Sequence, residues 1–255
     1  MERNHLREDT TIDPSLYAVY PIAWIERSQT FVDYMASSDP EKEFLVADFA
    51  AGEHDRVPTF FVNILPQFLS CPKHMVVYCT DLHALRLDSL MGKLEDSAML
   101  DNVRVVQAKL ETMDLEAKFR PAMLEYLESR SDIMTKLDHH LVKNSAIPIQ
   151  SFDIGVLNND VVGYLHEYYT EYSDAAAALQ KVRAVLKKGA LLIVTMPCSL
   201  YTIDNMEVLE REGFEFLEGK DIDLSDGLVS ELQRDANPQN MSRLGHYSYL
   251  IFISK

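Results

Sequence analysis

Cysteine is scarce in this chain: three residues, Cys71, Cys79 and Cys198, among 255. They are widely spaced and form no C-x-x-C pair, so neither a disulfide framework nor a zinc knuckle is written here, and reduced, buried thiols are expected. Glycine is scarce too, at nine residues, and nowhere in the G-x-G-x-x-G spacing that brings backbone against a pyrophosphate. That argues against a nicotinamide-dependent oxidoreductase, which stays as an alternative. Basic residues are outnumbered, 24 Lys and Arg against 40 Asp and Glu, for a formal charge of −16. Such a balance opposes the phosphate neutralisation that dominates nucleic-acid affinity, so DNA and RNA rank behind small molecules and proteins as partners. No apolar run approaches membrane-spanning length, and the charged "MERNHLREDT" is followed by no apolar stretch, which predicts a cytoplasmic protein without membrane association.

What is present is a globular composition, 47% hydrophobic and 25% charged, with enough apolar surface for a large core. The length suits one elaborated α/β domain over 1–255. A helical N-terminal segment over 1–41, interrupted near Pro21, precedes a core over 42–255. Buried strands are expected at "EFLVAD", "HMVVYCTD", "NVRVVQAKL", "SFDIGVLNND" and "ALLIVTMP", then two more at "GFEFLEGKDIDL" and "HYSYLIFISK". Helices alternate with the first five. One starts near Asp55 and Pro58, one is "LHALRLDSLMGKLED", a helical insertion covers 114–150, and "SDAAAALQKVRAVLKKG" ends on Gly189 as its cap. Apolar strands alternating with helices imply a three-layer, doubly wound, mostly parallel sheet of seven strands covered on both faces.

The chemistry concentrates where strands end. "EFLVADFAAGEH" closes an apolar strand with Asp48 and follows it with the small residues Ala50, Ala51 and Gly52, which leave room for another backbone or a ligand. The second strand also ends in an acid, Asp81, followed by Leu82. In an open α/β sheet, ligands bind outside the carboxyl ends of strands where the strand order reverses.

With these motifs, "VADFAAGEH", "VVYCTD", "FDIGVLNND" and "LKKGALLIVTMP", the chain resembles the class I S-adenosylmethionine-dependent methyltransferases over about residues 42–255. The resemblance implies S-adenosylmethionine as cofactor and methyl transfer to a small molecule or protein side chain. It also implies that Asp48, Ala50 and Gly52 form the turn under the cofactor's amino-acid part, with Asp48 organising that turn or meeting the ammonium group and the next helix's N-terminus favouring the carboxylate. Asp81 with Leu82 would hold the ribose, Glu111 the adenine, and Asn158 would face the methyl group. His166 and Tyr168, with Glu167 and Tyr169, are implied to orient or deprotonate the acceptor, and Tyr17 to fold over the cofactor as part of a lid. The sequence departs from the pattern at Ala50 and His54, where the family has glycines. An alanine there is expected to require a gentler backbone dihedral, so a non-catalytic scaffold or partner subunit with an eroded turn is a second alternative.

Plainer roles compete with several of these. Asp81 could cap the following helix, Tyr17 could be core, and Asp153 is expected to be structural. Lys109 is expected to be solvated. His139-His140 offers no metal pair, because adjacent helical positions point about 100° apart; no metal is expected. A homodimer is left open.

Overall fold

The computed structural model describes residues 14–113, 129, 147–168, 172–197, 202–232 and 245–255. Strands β1 (Glu43–Phe49), β2 (His74–Asp81), β3 (Val103–Gln107), β4 (Phe152–Leu157) and β5 (Leu186–Pro197) run parallel. β6 (Phe214–Asp223), β7 (Leu228–Glu231) and β8 (His246–Ser254) complete an eight-stranded sheet of order β3-β2-β1-β4-β5-β8-β6-β7. The seven expected strands are all present. The eighth, β7, is a short edge strand that hairpins back on β6, within a stretch whose sequence reads as irregular. β8 inserts antiparallel between β5 and β6.

Both faces of the sheet are covered because its central strands are apolar on both sides. Val46, Val77, Ile154, Ile193 and Ile251 point to one face, where they meet Trp24 and Phe31 of the N-terminal segment, Phe60 and Phe61 after β1, and Leu87 and Leu90 of helix α4 (Ala84–Asp96). Ala47, Phe49, Leu192, Val194 and Phe252 point to the other. That face is packed by α5 (Val161–Tyr168), α6 (Tyr172–Val185) and α7 (Thr202–Arg211) through residues such as Val162, Leu179, Val182 and Leu209. A fully buried residue of this size contributes roughly 1.5–3 kcal/mol relative to exposure.

Two expectations about helix ends are corrected. α6 stops at Val185, not at Gly189, because the carbonyls of Ala184 and Val185 accept the backbone N–H groups of Gln150 and Ser151 and the chain turns at once into β5. Gly189, at φ 83°, lies where the β4–β5 pairing jumps from Phe152↔Leu186 to Ile154↔Leu191. The helix near Asp55 and Pro58 is only four residues long, α3 (Arg56–Thr59), before it widens into a π turn over Phe60–Ile64 and tightens into a 3-10 turn over Leu65–Gln67.

The N-terminal segment is a core layer. α1 (Pro14–Val19), a 3-10 helix beginning at Pro21 and α2 (Gln29–Ser37) lie against the first sheet face. Ser28 does two jobs there: its Oγ accepts the N–H of Phe31 at the start of α2 and donates to Glu218 on β6 at 2.7 Å. Tyr34 donates to the backbone carbonyl of Asp153. The insertion over 114–150, including His139-His140, lies outside the described residues apart from Ser129 and residues 147–150. Among the described residues no helix is long and apolar enough to cross a membrane.

Removing the Ser28 hydroxyl takes away a helix cap and one donor to half-buried Glu218, which Tyr249 and Lys220 still reach. Ser28→Ala is therefore expected to lower unfolding stability by about 1–2 kcal/mol in urea titration, with little change in m value, since the exposed surface on unfolding is the same.

Candidate functional site

The strand order reverses between β1 and β4, and outside their carboxyl ends lies a cavity of about 740 Å³. That is within the range of about 300–1,000 Å³ usual for small-molecule sites. Its lining includes Asp48, Ala50 and Gly52 from the end of β1, Asp81 and Leu82 from β2, Glu111 beyond β3, and Asn158 beyond β4.

The cavity floor follows from strand register. On the first sheet face, Asp48 pairs with Cys79 on one side and Val156 on the other, and Val156 pairs with Ile193. Two residues further along, the same face presents Asp81 on β2, Asn158 beyond β4 and Thr195 on β5. The face thus changes from aliphatic to polar in its last layers, with Asp48 one layer below its flanking neighbours.

The turn after β1 is held by two bonds to β2. Ala51 N–H donates to the carbonyl of Thr80 at 2.8 Å, and Gly52 N–H donates to Oδ2 of Asp81 at 3.0 Å. Within that frame Ala50 has φ 58° and Gly52 φ 62°. The expectation of a gentler dihedral at Ala50 is overturned: the alanine takes the left-handed conformation, at a strain of roughly 1–2 kcal/mol. A Cβ built on Gly52 would meet nothing within 4 Å, so the glycine faces open space. The four-residue α3 that follows is too short to supply an N-terminal carboxylate site, and the Gly52 N–H is already engaged by Asp81; this corrects the helix-terminus role expected there.

Asp81 accepts a second bond, on Oδ1, from His83 N–H at 2.8 Å. The cap of α4 is His83 itself, so Asp81 organises the turn before the helix and does not cap it. With each oxygen taking one backbone donor, a further lone pair on each stays available. Glu111 lines the cavity with Lys109 3.6 Å away; Lys109 is exposed, as expected, at the cavity's rim. Asn158 is oriented through Oδ1, which accepts the Thr195 hydroxyl at 2.7 Å; the same hydroxyl oxygen accepts Asn159 N–H at 2.9 Å. Asn159 and Asp160 both have positive φ, 61° and 60°, a conformation these two residue types tolerate best after glycine.

Asp48 is buried, and its Oδ1 has no hydrogen-bond partner. Burial first, and the Asp81 charge second, push its carboxyl well above the ordinary range. By contrast Asp153, at the amino end of β4 and away from the cavity, is structural: it accepts Leu45 N–H and pairs with Lys187.

Tyr17 is not at the cavity, which corrects its expected lid role. It is buried, stacked on Trp24 with centroids 4.1 Å apart, and donates to Glu26. The aromatic residues of this segment are spent on covering the sheet face. His166 and Tyr168 lie in the last turn of α5, but their side chains, and all of Tyr169, lie outside the described residues. Thr195 escaped notice, although a lone hydroxyl inside "ALLIVTMP" is the kind of signal that marks it. Arg86, His83 and Tyr164 also line the cavity and carry no sequence signal of their own. Among the described residues no group of three or more His, Cys, Asp or Glu could hold a metal ion.

No family model matches the sequence, and no curated protein matches it. Solved structures do. An S-adenosylmethionine-dependent methyltransferase from Clostridium acetobutylicum aligns over 96% of this chain and 94% of its own at 10% identity and TM-score 0.52. A geranyl diphosphate methyltransferase in complex with S-adenosylmethionine aligns over 99% and 97% at 9% identity and TM-score 0.50. The [4+2]-cyclase SpnF aligns over 100% and 88% at 11% identity and TM-score 0.50. Likeness at such identities establishes the fold: the chain has the Rossmann-like architecture these proteins share, and the reaction must be argued from the site.

Two outcomes follow from this geometry. Ala50→Gly relieves the left-handed strain while adding unfolded-chain entropy, so a net gain of up to about 1 kcal/mol is expected in denaturant titration. Because the folded state holds the Asp48 proton to higher pH than the unfolded chain does, this group's support for folding declines from the ordinary carboxyl range upward and is least above its raised folded-state value. The melting temperature of ligand-free protein relative to Asp48→Asn should therefore fall as pH is raised from about 4.

Proposed function

We propose that the chain binds S-adenosylmethionine in this cavity and transfers its methyl group to a small-molecule acceptor. The observation that carries the reading is that the Gly52 turn and the Asp81 carboxylate, drawn from adjacent strands and bonded to each other, face one cavity at the strand-order reversal together with Asn158.

Two features fit the cofactor. The orphaned Oδ1 of Asp48 lacks a donor, which an amino-acid ammonium group would supply, and the space in front of Gly52 admits a close approach to backbone. When bound, S-adenosylmethionine supplies a methyl group on a sulfonium, which an in-line displacement can transfer without a metal. The chain's own residues divide the remaining work. Asp81 offers its free lone pairs to the ribose hydroxyls, and Leu82 and Leu110 supply apolar walls with Glu111 at the edge for the adenine. Asn158, its carbonyl oxygen fixed by Thr195, keeps its amide donor for the ligand. Val161, Tyr164 and Leu165 form an apolar and aromatic wall on the side of α5, which suits a small organic acceptor. The geranyl diphosphate methyltransferase of the same fold is named for such an acceptor.

The same features argue against a nicotinamide cofactor. Its pyrophosphate needs free backbone donors at the first turn, whereas the Gly52 N–H is occupied and two carboxyl groups stand beside it. The scaffold alternative loses one of its two supports, because Ala50 adopts the left-handed conformation a glycine would take.

Calorimetry on the full chain tests this. S-adenosylhomocysteine is expected to bind and NADH to give no heat. Asp81→Asn, which removes the charge and one acceptor, should weaken binding at least about tenfold, or 1.4 kcal/mol. No heat with S-adenosylhomocysteine at millimolar concentration would return the scaffold alternative.

A further inference from the structure

We propose that a second cavity, at the amino ends of the parallel strands, is a binding site for a small, soluble phosphate ester, held by Arg183, Lys188, Arg211 and Ser254. The inference is independent of the cofactor reading, because the two cavities share no residue and lie at opposite ends of the sheet. β4 alone, six residues long at about 3.3 Å each, puts roughly 20 Å between them.

The cavity forms where the second sheet face runs out between the ends of α6 and α7. Ser254 closes β8 on that face, paired with Phe214 at the start of β6. Beside it, β5 takes five steps from Leu186 to Leu191 while its partner β4 takes two, from Phe152 to Ile154, and the extra length carries Lys188 outward. The space enclosed is about 630 Å³, the size of a small-molecule site. Its charge is the reverse of the chain's −16: Arg183, Lys188 and Arg211 stand around one carboxylate, Glu212, while Lys255 is paired with Glu215 at 3.1 Å.

Helix ends explain part of this cluster. Arg183 and Arg211 belong to the last turns of α6 and α7, where cations complement the terminal carbonyls. Nη1 of Arg183 donates to the carbonyl of Glu212 at 3.0 Å, and it lies so close over Gly213, at φ 92°, that a Cβ there would collide with it. The guanidinium is thereby fixed in place while most of its donors stay available. Gln180 Nε2 holds the Glu212 carboxylate at 2.9 Å. Two further groups are not explained by capping. Lys188 is exposed and its ammonium group has no ion pair or hydrogen bond among the described residues. Ser254 lines the cavity at 3% exposure, and its hydroxyl has no hydrogen-bond partner among them either, which is uncommon for a buried polar group. A phosphate ester brings about two negative charges and three acceptor oxygens, enough for a guanidinium, an ammonium and a hydroxyl together. A carboxylate brings one charge and two oxygens.

Calorimetric titration of inorganic pyrophosphate into the full chain, at ionic strength held constant with NaCl, tests the site. Binding at one site with a Kd below about 1 mM is expected. Affinity should fall at least about tenfold in Arg183→Gln and about threefold or more in Lys188→Gln. It should be unchanged in Asp81→Asn, so a failure of the cofactor reading leaves this result untouched. If Arg183→Gln does not fold, Lys188→Gln, whose side chain supports nothing else, decides alone. Citrate is expected to give no heat, and vesicles containing phosphatidic acid are expected not to sediment the chain, because a headgroup would bring an anionic surface against a charge of −16. No heat with pyrophosphate at millimolar concentration, or equal affinity in Lys188→Gln and the unaltered chain, overturns the inference. Citrate binding as tightly as pyrophosphate, or sedimentation with the vesicles, overturns the ligand class by moving the site to polycarboxylates or to a lipid headgroup.

Discussion

The hydrogen bond from Gly52 N–H to the Asp81 carboxylate is the constraint on which the site depends. It ties the bend after β1 to the end of β2, and with the Ala51–Thr80 bond it forces Ala50 and Gly52 into left-handed conformations. Without it the bend would have no reason to hold an alanine in a conformation that costs energy. The same carboxylate reaches His83 N–H and so sets where α4 begins. One side chain thus fixes the bend and one wall of the cavity before any ligand is considered. Since a carboxylate oxygen has more than one lone pair, structural use of Asp81 does not exclude a ligand role.

The polar layer at the carboxyl ends of the strands is a departure from the rule that governs the rest of the sheet. Along the first face, β1, β2, β4 and β5 are apolar until the last turn of side chains, where Asp48, Asp81, Asn158 and Thr195 replace them. Asn158 and Thr195 satisfy each other and the bend at Asn159, and Asp81 is satisfied by backbone. Asp48 alone is left with an unpaired buried oxygen. A sheet designed only for stability would place an aliphatic residue there. Buried polar groups are rarely left without partners, so this one stands out as the unsatisfied acceptor at the base of the cavity.

Much of this was legible in the sequence, and the reason is physical. Parallel strands buried on both faces leave uninterrupted apolar runs, and β2 is expected and found at "HMVVYCTD" without a residue's difference. Strand-terminal acids stand out against such runs, which is why Asp48 and Asp81 could be named before their surroundings were known. What was not legible depends on tertiary bonds. The end of α6 is decided by Gln150 and Ser151, distant in sequence. The conformation of Ala50 is decided by β2, against its own preference. Tyr17 and Trp24 read equally as lid or core, and only their stacking against the sheet face separates the two. Arg86 and His83 enter the cavity because α4 starts where Asp81 sets it, a consequence no local pattern carries.

The fold narrows the chemistry less than the site does. SpnF, with this architecture, is named for a cyclisation, and the other two solved structures for methyl transfer. What these activities can share is a cavity at the strand-order reversal, a place that the topology of the sheet creates whatever residues line it. The residues then decide. Here they are carboxyl groups gathered at the first bend, an amide fixed beyond β4 and an apolar, aromatic wall on α5. That combination suits the ligand of the proposed function, one with a cationic amino-acid end and a nucleoside, beside an organic partner of modest size. A pyrophosphate would meet the wrong charge at the bend, and a nucleic acid would meet it over most of a surface carrying −16. On the proposed function, selectivity rests on the carboxyl groups held at the edge of the core, because a charge formed away from water discriminates between ligands more sharply than the same charge in solvent.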